Sequence, residues 1–168
     1  MSHASIQISA PDPVAEPIDL ETPADAPGVE ALIMAAFGPG RFPKTAGRLR
    51  EGPRPAVGFV AHRQGRVGGA VRLWPVAIGA TPGLFLGPIA VEAAVRSEGL
   101  GARLVQACVD HARITATGGI LLVGDRAYFE RFGFVAAPDA RLPGPVDQRR
   151  VLWLAVGKET AAGGVRIG

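Results

Sequence analysis

The sequence predicts a single mixed α/β domain, and three features of the 168-residue chain predict it. Strand-like runs at 56–62 (AVGFVAH) and 67–78 flank a Gln64-Gly65 turn, which makes an antiparallel hairpin. A nearly continuous apolar run at 84–91 (LFLGPIAV) is followed by a glycine-bearing loop, an amphipathic helix and another apolar run at 120–123 (ILLV). Strand, loop, helix, strand is a right-handed crossover, so those two runs are expected to be parallel neighbours. Hydrophobic residues make up 48% of the chain and charged ones 20%. That composition excludes disorder of the whole, and one domain of this size buries roughly 70% of its unfolded surface.

The elements follow in order. Residues 1–17 hold Pro11, Pro13 and Pro17 among small and acidic residues and read as a flexible arm. The domain is expected over 18–156, with a tail over 157–168. Residues 18–21 alternate apolar and polar like a short strand. Thr22-Pro23 then opens a helix, with Thr22 at the cap and Pro23 at the first helical position. Val29, Leu32, Ile33 and Ala36 recur at helical spacing, and Gly38-Pro39-Gly40 ends the helix. A second short helix is expected near 43–50. Pro75 suggests an edge or a bulge in its strand, and Gly87-Pro88 suggests a break in the ladder of the next. Leu100, Leu104, Ala107, Cys108 and Ala112 share one side of the helix that runs to about Thr115. Beyond residue 123 a short helix, a short strand at 134–136, a proline-rich loop and a closing strand at 151–156 complete the reading.

Several function classes fall away. The lone Cys108 forms no internal disulfide, and with three scattered histidines it makes no closed zinc site, so no metal is expected. Cys108 itself reads as a small core residue rather than a nucleophile. From Leu73 to Val91 no residue is charged, but Pro75, Gly79, Pro82, Gly83, Gly87 and Pro88 interrupt the run, so it reads as two strands and a turn rather than a membrane helix. The net charge of +3 is carried by dispersed arginines, with Lys44 and Lys158 the only lysines. No clustered basic face with interleaved aromatics is visible, so nucleic acid is not expected as a partner. The N-terminal residues lack a basic start and an apolar core of signal-peptide length, and the expected location is cytoplasmic. Homodimer assembly is left open.

Chemistry concentrates at Arg96-Ser97-Glu98-Gly99-Leu100-Gly101-Ala102, where a buried strand hands over to a helix. Successive backbone N–H groups and the positive end of the helix there make an anion site. Gly99 and Gly101 permit close approach of a phosphate, and Arg96 adds a charged donor. The letters do not fit two other phosphate loops. A P-loop needs Gly-Lys-Ser/Thr, and here Ala102-Arg103 follows Gly101. A dinucleotide fingerprint needs a small residue where Leu104 stands.

Leu86-Gly87-Pro88-Ile89-Ala90-Val91, then Arg96-x-x-Gly99-x-Gly101-Ala102, then residues 120–125, then Tyr128-Phe129-Glu130-Arg131-Phe132-Gly133-Phe134 together resemble the GNAT superfamily of acetyl-CoA-dependent N-acetyltransferases, most of all a bacterial branch of small members. The resemblance spans 18–156 and is strongest over 84–134. It implies a central, mostly antiparallel sheet in which one parallel pair splays, with helices flanking it. It implies acetyl-CoA as cosubstrate and an amine acceptor as partner, with direct attack in a ternary complex. Arg96, Ser97, Glu98, Gly99, Leu100, Gly101 and Ala102 would bind the CoA pyrophosphate. Ile89, Ala90 and Val91 would pair with pantetheine and polarise the thioester carbonyl.

Departures from the family pattern carry consequences. Ser97 replaces a common glycine, and Glu98 puts a carboxylate beside bound phosphates. Asp125 reads as a helix cap rather than a cofactor contact. The family's thiolate-protonating tyrosine falls at Phe129, one residue after Tyr128, the sole tyrosine. Either Tyr128 reaches the sulfur from a shifted helix or the thiolate leaves without a side-chain acid. Glu21, His62, Glu92 and His111 are the available kinds of general base; Glu92 and His111 read as solvated, and His62 as lacking a visible partner. The acceptor would be read by residues 36–55, by Arg72 and Trp74, and by 141–150, with Arg72 suited to an acidic amine. The alternative to an enzyme is an acyl-CoA-sensing module that has lost turnover.

Overall fold

The computed structural model describes residues 16–37, 54–157 and 159–168. The helix expected near 43–50 and most of the N-terminal arm lie outside the described residues. The elements are β1 (Asp19–Leu20), α1 (Ala26–Phe37), β2 (Val57–Arg63), β3 (Arg66–Ile78), β4 (Thr81–Val91), α2 (Leu100–Ile114), β5 (Gly119–Val123), α3 (Arg126–Phe129), β6 (Val135–Ala136), β7 (Ala140–Arg141), β8 (Val151–Ala155) and β9 (Gly163–Ile167). The strands join in one mixed sheet ordered β1-β2-β3-β4-β5-β8-β6, with β9 paired to both β3 and β7.

Local chemistry fixes the hairpins. Gln64 and Gly65 both adopt positive φ, 52° and 78°, as the two-residue turn between β2 and β3 requires. The long uncharged run forms β3 and β4, and no described helix is long and apolar enough to cross a membrane. Pro75 sits where the outer neighbour of β3 changes. β2 pairs with Arg66 to Leu73, and β9 takes over at Val76, so the proline's missing N–H falls at the junction. The break expected at Gly87-Pro88 is a bulge: Arg72 alone stands opposite Gly87 and Pro88, between the Val71↔Ile89 and Leu73↔Leu86 pairs.

Two layers cover the sheet. On one face Leu100, Leu104, Val105, Cys108, Val109 and Ala112 of α2 bury themselves against Val71, Leu73, Leu86, Ile120 and Leu152. Burial of this kind stabilises by about 1.5–3 kcal/mol per large side chain. On the other face Val29, Leu32 and Ile33 of α1 cover Val60, Ala70 and Ala90. Toward the far end of the sheet, Trp74, Ile78, Phe85, Leu121 and Trp153 make a further cluster. Cys108 has no exposed surface, and burial pushes its thiol pKa up.

Thr22 and Pro23 do open a helical segment, first as a 3-10 turn. The Asp25 carboxylate accepts from the Thr22 N–H at 2.9 Å and its hydroxyl at 3.1 Å. Its other oxygen meets His62 Nε2 at 2.8 Å, and Asp19 lies 3.6 Å from Nδ1. His62 is therefore not partnerless: it ties the start of α1 to β2. The sequence hid this because the contact spans 37 positions.

The stretch expected as a tail carries β9. Val165 is buried against β3, and the Gly79 N–H donates to the Gly164 carbonyl at 2.9 Å. β7 was not expected either; both are two- to five-residue strands whose pairing is tertiary rather than local.

Two outcomes are expected. A Cβ on Gly119 would stand 2.3 Å from the Leu154 carbonyl oxygen, whereas one on Gly164 would have nothing within 4 Å. Gly119→Ala is expected to destabilise by about 1–3 kcal/mol, lowering Tm by about 2–4 °C per kcal/mol, and Gly164→Ala to leave Tm unchanged. Equal Tm values for the two variants would contradict the packing. The second outcome concerns pH. The Asp25 hydrogen bond raises the His62 pKa above its ordinary 6.5, so that stabilisation is complete below 6.5 and lost as pH rises through the folded value. Backbone donation from Thr22, then the His62 bond, lowers the Asp25 pKa from 3.8, so its contribution is lost only as pH falls through the depressed value. His62→Gln is thus expected to lower Tm near pH 5.5 and to do little at alkaline pH; an equal loss at both would remove the ion pair from the account.

Candidate functional site

β4 and β5 pair in parallel only at Leu84↔Ile120 and Phe85↔Leu121. Beyond that, Leu122 and Val123 pair with β8 alone, and β4 from Leu86 onward keeps only β3 as neighbour. The two strands part, leaving the edge of β4 at Ile89, Ala90 and Val91 facing an opening. The bulge at Gly87-Pro88 begins where the strands separate.

After Val91 the chain runs through a 3-10 turn at Ala93–Glu98 rather than the open loop expected there. Gly99 takes φ 79°, in the left-handed region, and is the N-cap of α2. It has no side chain to cap the helix, so the N–H groups of Leu100, Gly101 and Ala102 have no side-chain partner. They point out of the end of a 15-residue helix, which is the anion-binding arrangement the sequence suggested. The nearest atom to a Cβ on Gly101 would be the Tyr128 hydroxyl, at 3.7 Å, followed by Val91 Cγ2 at 3.9 Å. The end of β4, the first turn of α2 and the phenol of Tyr128 therefore converge.

Asp125 caps α3, accepting from the Ala127 N–H at 3.0 Å, as the sequence indicated. Beyond that turn the rings of Tyr128 and Phe129 meet edge to face, with centroids 5.0 Å apart, but have different further neighbours. Phe129 packs edge-on to Phe134, and Gly124 leaves it room: a Cβ there would lie 2.6 Å from the ring. Tyr128 stays half-exposed, with Arg131 4.4 Å above its ring and donating to its carbonyl at 2.8 Å. The residue at the family's tyrosine position is thus a half-buried phenylalanine packed against the core, and its neighbour carries the hydroxyl toward the first turn of α2.

Electrostatics around the turn differ from the sequence expectation. Glu98 is bound by Arg63 at 2.9 Å, and Glu92 by Arg66 at 2.7 Å and 3.2 Å. Both arginines come from the β2–β3 hairpin, so the carboxylates beside the anion site are matched by cations. Glu92 is accordingly not merely solvated. Arg96 is exposed, and its Nε donates to the Val91 carbonyl at 3.3 Å. It borders a cavity of about 550 Å³ between α1 and the end of β4, lined also by Ala31, Leu32, Ala35, Val67 and Glu92.

The remaining candidates are engaged elsewhere. Glu21 forms a two-bond pair with Arg72 at 3.0 Å and 2.8 Å, and Glu30 joins at 2.7 Å. The Glu21 hydrogen bonds hold the Arg72 pKa up despite partial burial. Arg72 is therefore already matched by two carboxylates and does not offer an uncommitted cation to an acidic acceptor. His111 packs edge-on to Phe59, with ring centroids 5.9 Å apart, rather than standing in solvent. Trp74 is buried, and its indole N–H donates to the Gly87 carbonyl. Of the segment expected to read the acceptor, residues 38–53 lie outside the described residues. Among the described residues no three or more His, Cys, Asp or Glu side chains are placed so that they could hold a metal ion together.

Comparison with known proteins places this geometry. Residues 54–136 match the family model of an acetyltransferase (GNAT) domain. The uncharacterized N-acetyltransferase YhbS of Escherichia coli K12 is 33% identical over 123 residues, covering 71% of this chain and 74% of that protein. The structure of the E. coli YhbS protein in complex with CoA superposes with a TM-score of 0.80 at 28% identity, covering 95% of this chain and 94% of that one. A GNAT family acetyltransferase of Brucella melitensis in complex with acetyl-CoA gives 0.72 at 27% identity, covering 90% and 95%. With a splayed parallel pair, a glycine-capped helix at its mouth and these relatives, the chain belongs to the GNAT family of acetyltransferases.

Proposed function

We propose that this chain transfers the acetyl group of acetyl-CoA to a primary amine of its acceptor by direct attack in a ternary complex. The observation that carries the reading is the meeting of Tyr128, Gly101 and Val91 at the mouth of the β4–β5 opening. The complexes of the E. coli and Brucella relatives with CoA and acetyl-CoA support it.

The residues fit the cosubstrate. The pyrophosphate is anionic, and the uncapped N–H groups of Leu100, Gly101 and Ala102 supply fixed donors at a positive helix end. Arg96, Ser97, Glu98 and Gly99 complete the turn around it, with Arg63 neutralising Glu98. An extended pantetheine needs a strand edge, and β4 at Ile89, Ala90 and Val91 has one on the side away from β3. Acetyl-CoA supplies the acetyl group activated as a thioester. Backbone donors of β4 polarise its carbonyl without reorganisation, since the strand is already held by β3. Position and electrostatics are then the protein's main contribution. The amine nitrogen bonds to the carbonyl carbon; as the carbon–sulfur bond breaks, the Tyr128 hydroxyl donates its proton to the thiolate, and the proton that the acylated nitrogen loses passes through water to restore the Tyr128 hydroxyl, leaving amide and CoA thiol.

Binding is tested by melting the protein with acetyl-CoA, CoA, ATP and NAD in parallel. At 100 times Kd a ligand stabilises by about 2.7 kcal/mol, or several degrees here. CoA and acetyl-CoA are expected to raise Tm and ATP and NAD are not; no shift with either CoA species would overturn the reading. Turnover is tested by thiol release over a panel of amines. Tyr128→Phe is expected to lower kcat by about 10²-fold with the CoA Kd unchanged. An unchanged kcat would remove Tyr128 from the chemistry, and absence of thiol release with every amine despite CoA binding would favour an acyl-CoA-sensing module.

A further inference from the structure

We propose that Trp74 is a positioning residue for acetyl transfer: its indole N–H holds the Gly87 carbonyl and thereby fixes the bulge from which the downstream amides of β4 meet the thioester. The inference rests on the acetyl-CoA reading above.

The bulge needs such a holder for a chemical reason. Two residues of β4, Gly87 and Pro88, face the single Arg72 of β3, so ladder hydrogen bonding is interrupted there. The peptide joining Gly87 to Pro88 has no N–H, because its nitrogen belongs to proline. Its carbonyl is the one polar handle by which its plane can be set. Gly87 itself takes φ 145°, in the region where only glycine is at ease, so the backbone alone does not dictate the orientation. The indole N–H of Trp74 takes that carbonyl.

Trp74 is well placed to transmit rigidity. Only 6% of it is exposed, and its N–H is its one hydrogen-bonding group. It pairs across the ladder with Phe85, one of the two β4 residues still joined to β5. Its ring packs in the cluster of Phe85, Leu121 and Trp153, which spans β3, β4, β5 and β8. The bulge is thereby tied to the part of the sheet where β4 and β5 remain together. From Ile89 the ladder resumes against Val71. Set at one side by the indole and at the other by β3, the edge at Ile89, Ala90 and Val91 has one geometry. Carbonyl polarisation depends on such fixed donors, and a misplacement of about 1 Å is enough to lower a rate by about 10²-fold.

The test reads the carbonyl itself and needs no acceptor. Acetyl-CoA labelled with ¹³C at the carbonyl is bound to the full chain, and the infrared stretch of the bound thioester is compared with that of free acetyl-CoA. The wild type is expected to show a shift to lower frequency. Trp74→Phe is expected to lose most of that shift while its Kd for CoA stays unchanged. Because the smaller ring leaves a void, a second variant carries β-(3-benzothienyl)alanine at position 74, which replaces the N–H by sulfur at nearly constant shape; it is expected to lose the shift as well. Trp153→Phe serves as control, since the indole of Trp153 donates to the Glu159 carbonyl at 3.3 Å, away from the bulge, and is expected to keep the shift. A full shift in the benzothienyl variant would overturn the role of Trp74. A wild type that binds acetyl-CoA without any shift would overturn carbonyl polarisation and Trp74's part in it together. A wild type that binds no acetyl-CoA would overturn the underlying reading and this inference with it.

Discussion

The parting of β4 from β5 is the constraint on which the site depends. A parallel pair normally continues for as long as both strands do, because each residue added satisfies backbone groups. Here it stops after two residue pairs: β5 keeps β8 on its other edge along its whole length, while β4 is bulged at Gly87-Pro88 just past the last shared pair. The unpaired backbone that results is a liability in a sheet interior and an asset only if something extended lies there. Everything else is arranged around that gap: α2 enters from its mouth, α3 brings a phenol to its side, and β3 keeps the open edge straight.

Charge is handled by the neighbouring hairpin. Two carboxylates, Glu92 and Glu98, stand beside the first turn of α2 and, unmatched, would repel the pyrophosphate proposed to bind there. Arg66 and Arg63, which flank the Gln64-Gly65 turn, reach across to those carboxylates. The turn that sets the register of β2 and β3 therefore also sets the potential at the end of α2. On the opposite face the Glu21–Arg72–Glu30 and Asp19–His62–Asp25 groups stitch β1 and α1 to the sheet. These ion pairs act as cross-element ties.

The legible part of the molecule was the part written locally. Period-two and period-3.6 apolar patterns located β2, β3, β4, α1, α2, β5 and β8, and glycines and prolines marked their ends. Gly87-Pro88 announced the break in β4, and Arg96-x-x-Gly99-x-Gly101 announced the turn into α2. What was not legible was long-range. β9 carries two glycines and a single buried valine, too little pattern to read as a strand before its partner is known. His62, Glu92 and Glu21 looked uncommitted because their partners lie 26 to 51 positions away. Tyr128 was ambiguous for a rotational reason. One residue on a helix turns the side chain by about 100°, and only the packing of Phe129 beneath Gly124 decides which ring faces the opening.

The central claim is that the open edge of β4 and the first turn of α2 together hold acetyl-CoA. Amide-resolved hydrogen exchange on the full chain, with and without acetyl-CoA, tests it most directly, because the claim is about individual N–H groups. The account predicts new protection at Ile89 and Val91, whose N–H groups face away from β3, and at Leu100, Gly101 and Ala102, in one concerted set, with Ala90, already bonded to β3, unchanged. Protection confined to the cavity between α1 and the end of β4, at Ala31, Ala35 and Val67, with those amides unchanged, would contradict it.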